Sequence, residues 1–125
     1  MTHPWMCDAM GHVNTRHIVG LFDDASYRLL IDLAGPTPPA DLGWADVRCQ
    51  IDYRDEIRAG TAVDVISTIT AIGTKSLTYA HVMVDALTQG VKAEATVVSV
   101  RFDLAARKAV PLEADLRRRA ETFGA

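Results

Sequence analysis

The stretch CDAMGHVN, Cys7 to Asn14, sets a carboxylate, a glycine, an imidazole and a side-chain amide just ahead of an apolar-periodic run. Asp8 brings a carboxylate that can attack an activated carbonyl or take a proton from water that does so. His12 brings an imidazole, the side chain suited to moving a proton near neutrality. Asn14 is a good helix N-cap, because its side-chain oxygen can accept from a free N–H of the first turn. With that cap in place, the N–H of Thr15 or Arg16 opens a helix N-terminus. Unpaired donors and the positive end of the helix dipole there suit a developing oxyanion. Each residue also has a plainer use: Asp8 closing the turn DAMG, His12 packing that turn on the helix, and Asn14 capping alone. A metal held by Cys7, Asp8 and His12 is not expected, since adjacent Cys7 and Asp8 point apart in a strand.

These residues need a helix behind them and a scaffold under it. From Ile18 the apolar positions Ile18, Phe22, Ala25, Leu29 and Leu33 fall on one helical face, with Arg16, Asp23 and Arg28 opposite. Gly35 and the PTPP that follows end the run, predicting one helix of about five turns. After Trp44 the period changes. Val47, Cys49, Ile51 and Tyr53 alternate with Arg48, Gln50, Asp52 and Arg54, as in a half-buried strand. RAGT (58–61) reads as a turn and 62–72 as a β-branched strand. GTKS precedes a strand over 77–87, and TQG turns the chain into a last strand over 91–104. Pro111 precedes an amphipathic segment with Leu112, Leu116, Ala120 and Phe123 on one side.

One helix followed by four antiparallel strands, with a short strand expected at the very start, is an α+β pattern. A single apolar helix is covered only if the sheet curls around it. The strands between Leu77 and Val100 are apolar on both faces, Val82 and Val84 opposing Tyr79 and Met83, so the second face calls for another copy of the chain.

Composition narrows the function. The 125 residues suit one domain, 1–125, able to bury a core without staples. A net charge of −3 with scattered basic residues argues against nucleic acid. Arg117, Arg118 and Arg119 lie between acids and read as a solvated helix face. No run has the ~20 apolar residues of a membrane helix. The N-terminus lacks the pattern of a signal peptide, and two cysteines without metal-type spacing are expected to be free thiols, so a cytoplasmic location is expected. No glycine-rich phosphate loop is present.

With these elements in order, the sequence resembles the hotdog-fold acyl-CoA thioesterases, in the group of 4-hydroxybenzoyl-CoA thioesterase. The stretch DAMGHVNTRHIVGLFDDASYRLL (8–30) is similar to that family's opening pattern, Phe22, Asp23 and Ala25 standing at its Phe–acid–Ala signature. The stretch from Val47 to Val84, with Gly60 and GTKS, and the ending VVSVRFDLAARKAVPL resemble the family's later strands. Where family members commonly carry two asparagines and a tyrosine after His-Val, this chain reads Asn14, Thr15 and then His17-Ile18.

The resemblance implies an antiparallel sheet wrapped around one long central helix, and hydrolysis of a small acyl-CoA to free acid and CoA. It places the catalytic acid at Asp8 and the oxyanion donor at the Thr15 N–H. His12 matches a catalytic histidine of the similar plant acyl-carrier thioesterases, and Asn14 stands beside it. Coenzyme A enters as part of the substrate, with no separate cofactor. Arg54, Arg58, Lys75 and Ser76 are candidates for its phosphates, and a homodimer or homotetramer is expected. Two other readings share the fold. One is an acyl-thioester hydratase or dehydratase, whose Asp-x-Asn-Pro-x-His pattern differs from the Asp8–His12 spacing here. The other is an acyl-CoA-binding protein without turnover.

Overall fold

In the computed structural model, which describes residues 1–123, helix α1 spans Thr15–Ala34 and buries Ile18, Phe22, Ser26, Leu29, Leu30 and Leu33. The helical period predicts most of that stripe, although Ala25 is only half-buried. Asn14 caps the start, accepting the Arg16 N–H at 3.0 Å. Gly35 follows the last turn at φ +76°, a backbone state that favours glycine.

The sheet is antiparallel. Strands β1 (Leu42–Tyr53), β2 (Val63–Ile72), β3 (Ser76–Asp85) and β4 (Val91–Asp103) stand in the order β1-β4-β3-β2, and a two-residue strand β5 (Lys108–Ala109) pairs with the end of β4. Tyr79, His81 and Met83 of β3 and Ala93, Ala95 and Val97 of β4 are buried on the face toward α1. The sheet wraps that helix, which is the hotdog arrangement. Helix α2 (Ala114–Glu121) closes one end of the core, burying Leu116 and Ala120 beside Leu33 and Leu77.

Four details depart from the sequence reading. The N-terminus forms no sheet strand: Pro4–Met6 is a 3-10 turn, followed by single bridges between Cys7 and Val13 and between His12 and Arg58. Proline at the start of that turn has no N–H to give to a ladder. Second, the β1 alternation slips at Val47. A bulge between Asp46 and Arg48 leaves Val47 63% exposed, and the partners of the buried β4 residues are Trp44, Asp46, Cys49, Ile51 and Tyr53. Third, β5 lacks any periodic signal because it is too short for one. Fourth, the arginine triplet is not simply a solvated face. Arg119 donates to the last carbonyls of α1, Leu33 at 2.6 Å and Ala34 at 3.2 Å, and Arg117 to the Gly73 carbonyl at 2.5 Å. Cations at a helix C-terminus satisfy orphan carbonyls and oppose the dipole.

The helix–sheet contact contains a buried polar chain. His81 is fully buried, stacked on Phe22 at 5.9 Å, with Nε2 2.9 Å from the Ser26 hydroxyl and Nδ1 2.7 Å from that of Ser67. Beside it the Tyr79 hydroxyl lies 2.7 Å from Ser99 Oγ, which donates to Asp46 Oδ1 at 2.6 Å. Both ring nitrogens of His81 have partners, so its cost of burial as a neutral group is offset.

Two outcomes test this core. Leu33→Ala, at a position 1% exposed, should cost about 2–5 kcal/mol in urea unfolding. Burial holds the His81 imidazole below its ordinary value, so the unfolded chain takes the proton first as pH falls. The folded state should therefore lose stability below about pH 6.5, with a shallower loss in His81→Gln.

Candidate active site

The loop before α1 is held by backbone pairs that follow from its turn residues. The Asp8 N–H donates to the His12 carbonyl at 2.9 Å, and the Gly11 N–H returns to the Asp8 carbonyl at 3.0 Å, with Gly11 at φ +81°. Val13 N–H reaches Ile57 O at 2.7 Å and Asn14 N–H reaches Met6 O at 2.8 Å, so the loop is stitched to the segment after β1 and to the N-terminal 3-10 turn. Asp8 accepts from Met10 N–H at 2.9 Å and His12 N–H at 3.4 Å, both through Oδ1. The turn-closing use of Asp8 therefore exists, and it occupies one oxygen. Oδ2 has no hydrogen-bond partner among the described residues.

A cleft of about 370 Å³ opens beside this half-buried carboxylate. Asp8, His12 and Thr15 line it together with Ile18, Tyr53 and Glu56. Of the two amides that could open the helix, that of Arg16 is taken by the Asn14 side chain, whereas the Thr15 N–H has no acceptor among the described residues. The cap thus selects which donor remains for a ligand. Asp8 and Thr15 thus line one cleft, and the Asp8 Oδ2 and the Thr15 N–H have no hydrogen-bond partner among the described residues.

His12 does not turn toward Asp8. Its Nε2 lies 2.6 Å from Glu56 Oε2, and Glu56 also accepts from Arg58 Nη2 at 3.2 Å. Glu56 was not legible as a site residue, because it lies in a polar stretch without pattern; only the fold brings it against the loop. Asn14 is placed as the cap. Of the four candidates for coenzyme A phosphates, Arg54 lines the cleft and is held by Glu94 at 2.9 Å, while Arg58 stands beside it through the His12 bridge. Ser76 opens β3 opposite Val100 and Lys75 precedes it, its carbonyl accepting from the Arg101 N–H, at the end of the sheet away from the Asp8 loop.

An antiparallel sheet wrapped around one long helix is the hotdog fold of thioester hydrolases. A family model described as the thioesterase-like superfamily matches residues 2–120, and the chain belongs to that superfamily. Solved structures agree in fold. The probable thioesterase YbaW from Escherichia coli is 22% identical with a TM-score of 0.82, covering 95% of this chain and 91% of that one. Slr0204, a 1,4-dihydroxy-2-naphthoyl-CoA thioesterase from Synechocystis, is 18% identical with a TM-score of 0.84, covering 100% and 94%. BH1999, a gentisyl-coenzyme A thioesterase, is 18% identical with a TM-score of 0.82, covering 97% and 96%. No curated protein matches the sequence. Among the described residues, no helix is long and apolar enough to cross a membrane.

Replacing the cap tests its role. Asn14→Ala should cost about 1 kcal/mol in denaturant unfolding and lower thioester turnover as the first turn loosens around the Thr15 amide. Full turnover at reduced stability would separate the cap from the chemistry.

Proposed function

We propose that the chain is an acyl-CoA thioesterase that hydrolyses a small acyl-CoA to the free acid and CoA at the Asp8 cleft. The observation that supports this reading is that Asp8, with Oδ2 unpartnered, and Thr15, with its N–H open, line one cleft. The thioester carbonyl oxygen accepts from the Thr15 N–H and gathers negative charge there as the carbonyl carbon becomes tetrahedral. Asp8 Oδ2 either attacks that carbon, giving a mixed anhydride that water then opens, or takes the proton of an attacking water. The thiolate of coenzyme A leaves and is protonated from solvent. His12, tied to Glu56 at the cleft wall, is a positioning group for the loop and for water. Arg54, in the cleft wall, and Arg58, bridged to His12, are assigned to the coenzyme A phosphates; Lys75 and Ser76 would reach them only from another copy.

The functional unit is proposed to be a homodimer or homotetramer. Strand β1 is an edge, and the seam it makes with α1 exposes Tyr27 (62%) and Ile31 (64%). An open edge flanked by large apolar side chains is a template for a second strand. Antiparallel pairing of two β1 edges about their middle would set the Tyr53 end of one copy beside the Trp44 end of the other.

The test is thiol release across an acyl-CoA panel. Asp8→Asn keeps an oxygen able to accept from the Met10 N–H, so the loop should hold while the reactive oxygen is lost. The expected fall is at least about 100-fold. Unchanged rates would remove Asp8 from the mechanism.

A further inference from the structure

A second cavity lies on the same α1–β1 seam as the Asp8 cleft, farther along the helix. It is an open hollow of about 140 Å³ lined by Asp23, Ser26, Tyr27, Leu30, Trp44 and Asp46, of which Asp23, Tyr27 and Asp46 are exposed. Thr15 and Asp23 are eight residues apart, about 12 Å of helix. Two aromatic rings form its walls, and an adjoining apolar hollow continues past Leu30 and Trp44 toward Pro38 and Leu42.

The polar side of the cavity is built from the core outward. Ser26 is 5% exposed and is bound to the buried His81. Asp46 is held in place by Ser99, itself fully buried and bonded to the Tyr79 hydroxyl. Neither Asp23 nor Asp46 pairs with a cation among the described residues; the nearby Arg101 is committed to Glu113 at 2.7 Å and lies over Trp44. The negative field is felt by Cys49, whose thiol is pushed up by burial and by the charges of Asp46 and Asp23. Carboxylates without counter-ions beside aromatic faces favour a cation, which gains from both the charge and the ring quadrupoles.

We propose that this cavity is the specificity pocket for the acyl group and that it selects acyl tails ending in a positively charged ammonium head. The inference rests on the thioesterase reading for the route of entry: the thioester sits at Asp8, and the tail runs along the seam to Asp23 and Asp46. Ser26 and the Tyr79–Ser99 pair hold the polar side rigid, so the site loses little reorganisation energy on binding. Tyr27 and Trp44 cover the methyl or methylene groups around the charge.

The experiment compares ω-trimethylammonio acyl-CoA esters of graded length with their tert-butyl isosteres, which have the same shape and no charge. At the best length the cationic ester should have kcat/KM about tenfold higher than its isostere. Asp23→Asn/Asp46→Asn should bring that ratio towards one. An equal rate for both esters, or an equal loss on both in the variant, overturns the proposal and leaves the thioesterase reading standing. Tetramethylammonium, followed through Trp44 fluorescence with Trp5→Phe as background, reads the pocket without turnover. Binding that the double variant abolishes, in a protein that hydrolyses no thioester, would keep the pocket and sink the hydrolase. Absence of binding and of discrimination would sink the pocket.

Discussion

Everything in this molecule depends on one packing constraint: a single twenty-residue helix must bury its apolar stripe in the hollow of a four-strand ladder. The stripe from Ile18 to Leu33 fixes the rotation of α1 about its axis. That rotation in turn decides which residues face the open seam beside β1. Two buried clusters grip the helix, one around Leu29 and Leu33 and the other around Ile18 and Phe22. With both ends gripped, the capped N-terminus is held beside the loop that carries Asp8. A helix that slid by one turn would shift by about 5.4 Å and carry Thr15 away from the cleft it shares with Asp8.

The polar groups inside that contact raise the specificity of the fit. His81, Ser26 and Ser67 satisfy one another, as do Tyr79, Ser99 and Asp46. Of these bonds Ser26 to His81 joins helix to sheet, and a buried polar group without its partner costs about 1–3 kcal/mol, so a change of helix register that broke it is penalised. Arg119 does similar work at the other end of α1, closing carbonyls that no backbone group reaches.

Much of this was legible before any coordinates. The helix, its Asn14 cap and its stop at Gly35 come from local rules that tertiary contacts reinforce. The strands of β2, β3 and β4 follow from β-branched runs between turn signals. What escaped were features with no period to betray them. The proline-led 3-10 turn replaced an expected strand. A bulge at Val47 reversed the inward side of half of β1. Arg117 and Arg119 found carbonyls that no sequence window contains. At the cleft, Asp8, His12 and Thr15 come together because they are near neighbours in sequence, in the loop and first residue of α1. Glu56 joins them across 44 residues of chain, and Lys75 with Ser76 are carried to the other end of the sheet.

The bulge in β1 separates two duties along one strand. Without the extra residue, side chains on either side of Val47 would keep a single alternation, and turning Cys49, Ile51 and Tyr53 inward would turn Asp46 and Trp44 outward. The inserted residue resets the phase, so both halves of the strand look into the same seam. The Tyr53 end, beside the Asp8 cleft, and the Trp44 end, beside the second cavity, thus acquire independent side-chain positions on a continuous hydrogen-bonded ribbon. Changes at Trp44 or Asp46 can reshape one part of the seam without shifting the strand end beside the Asp8 loop.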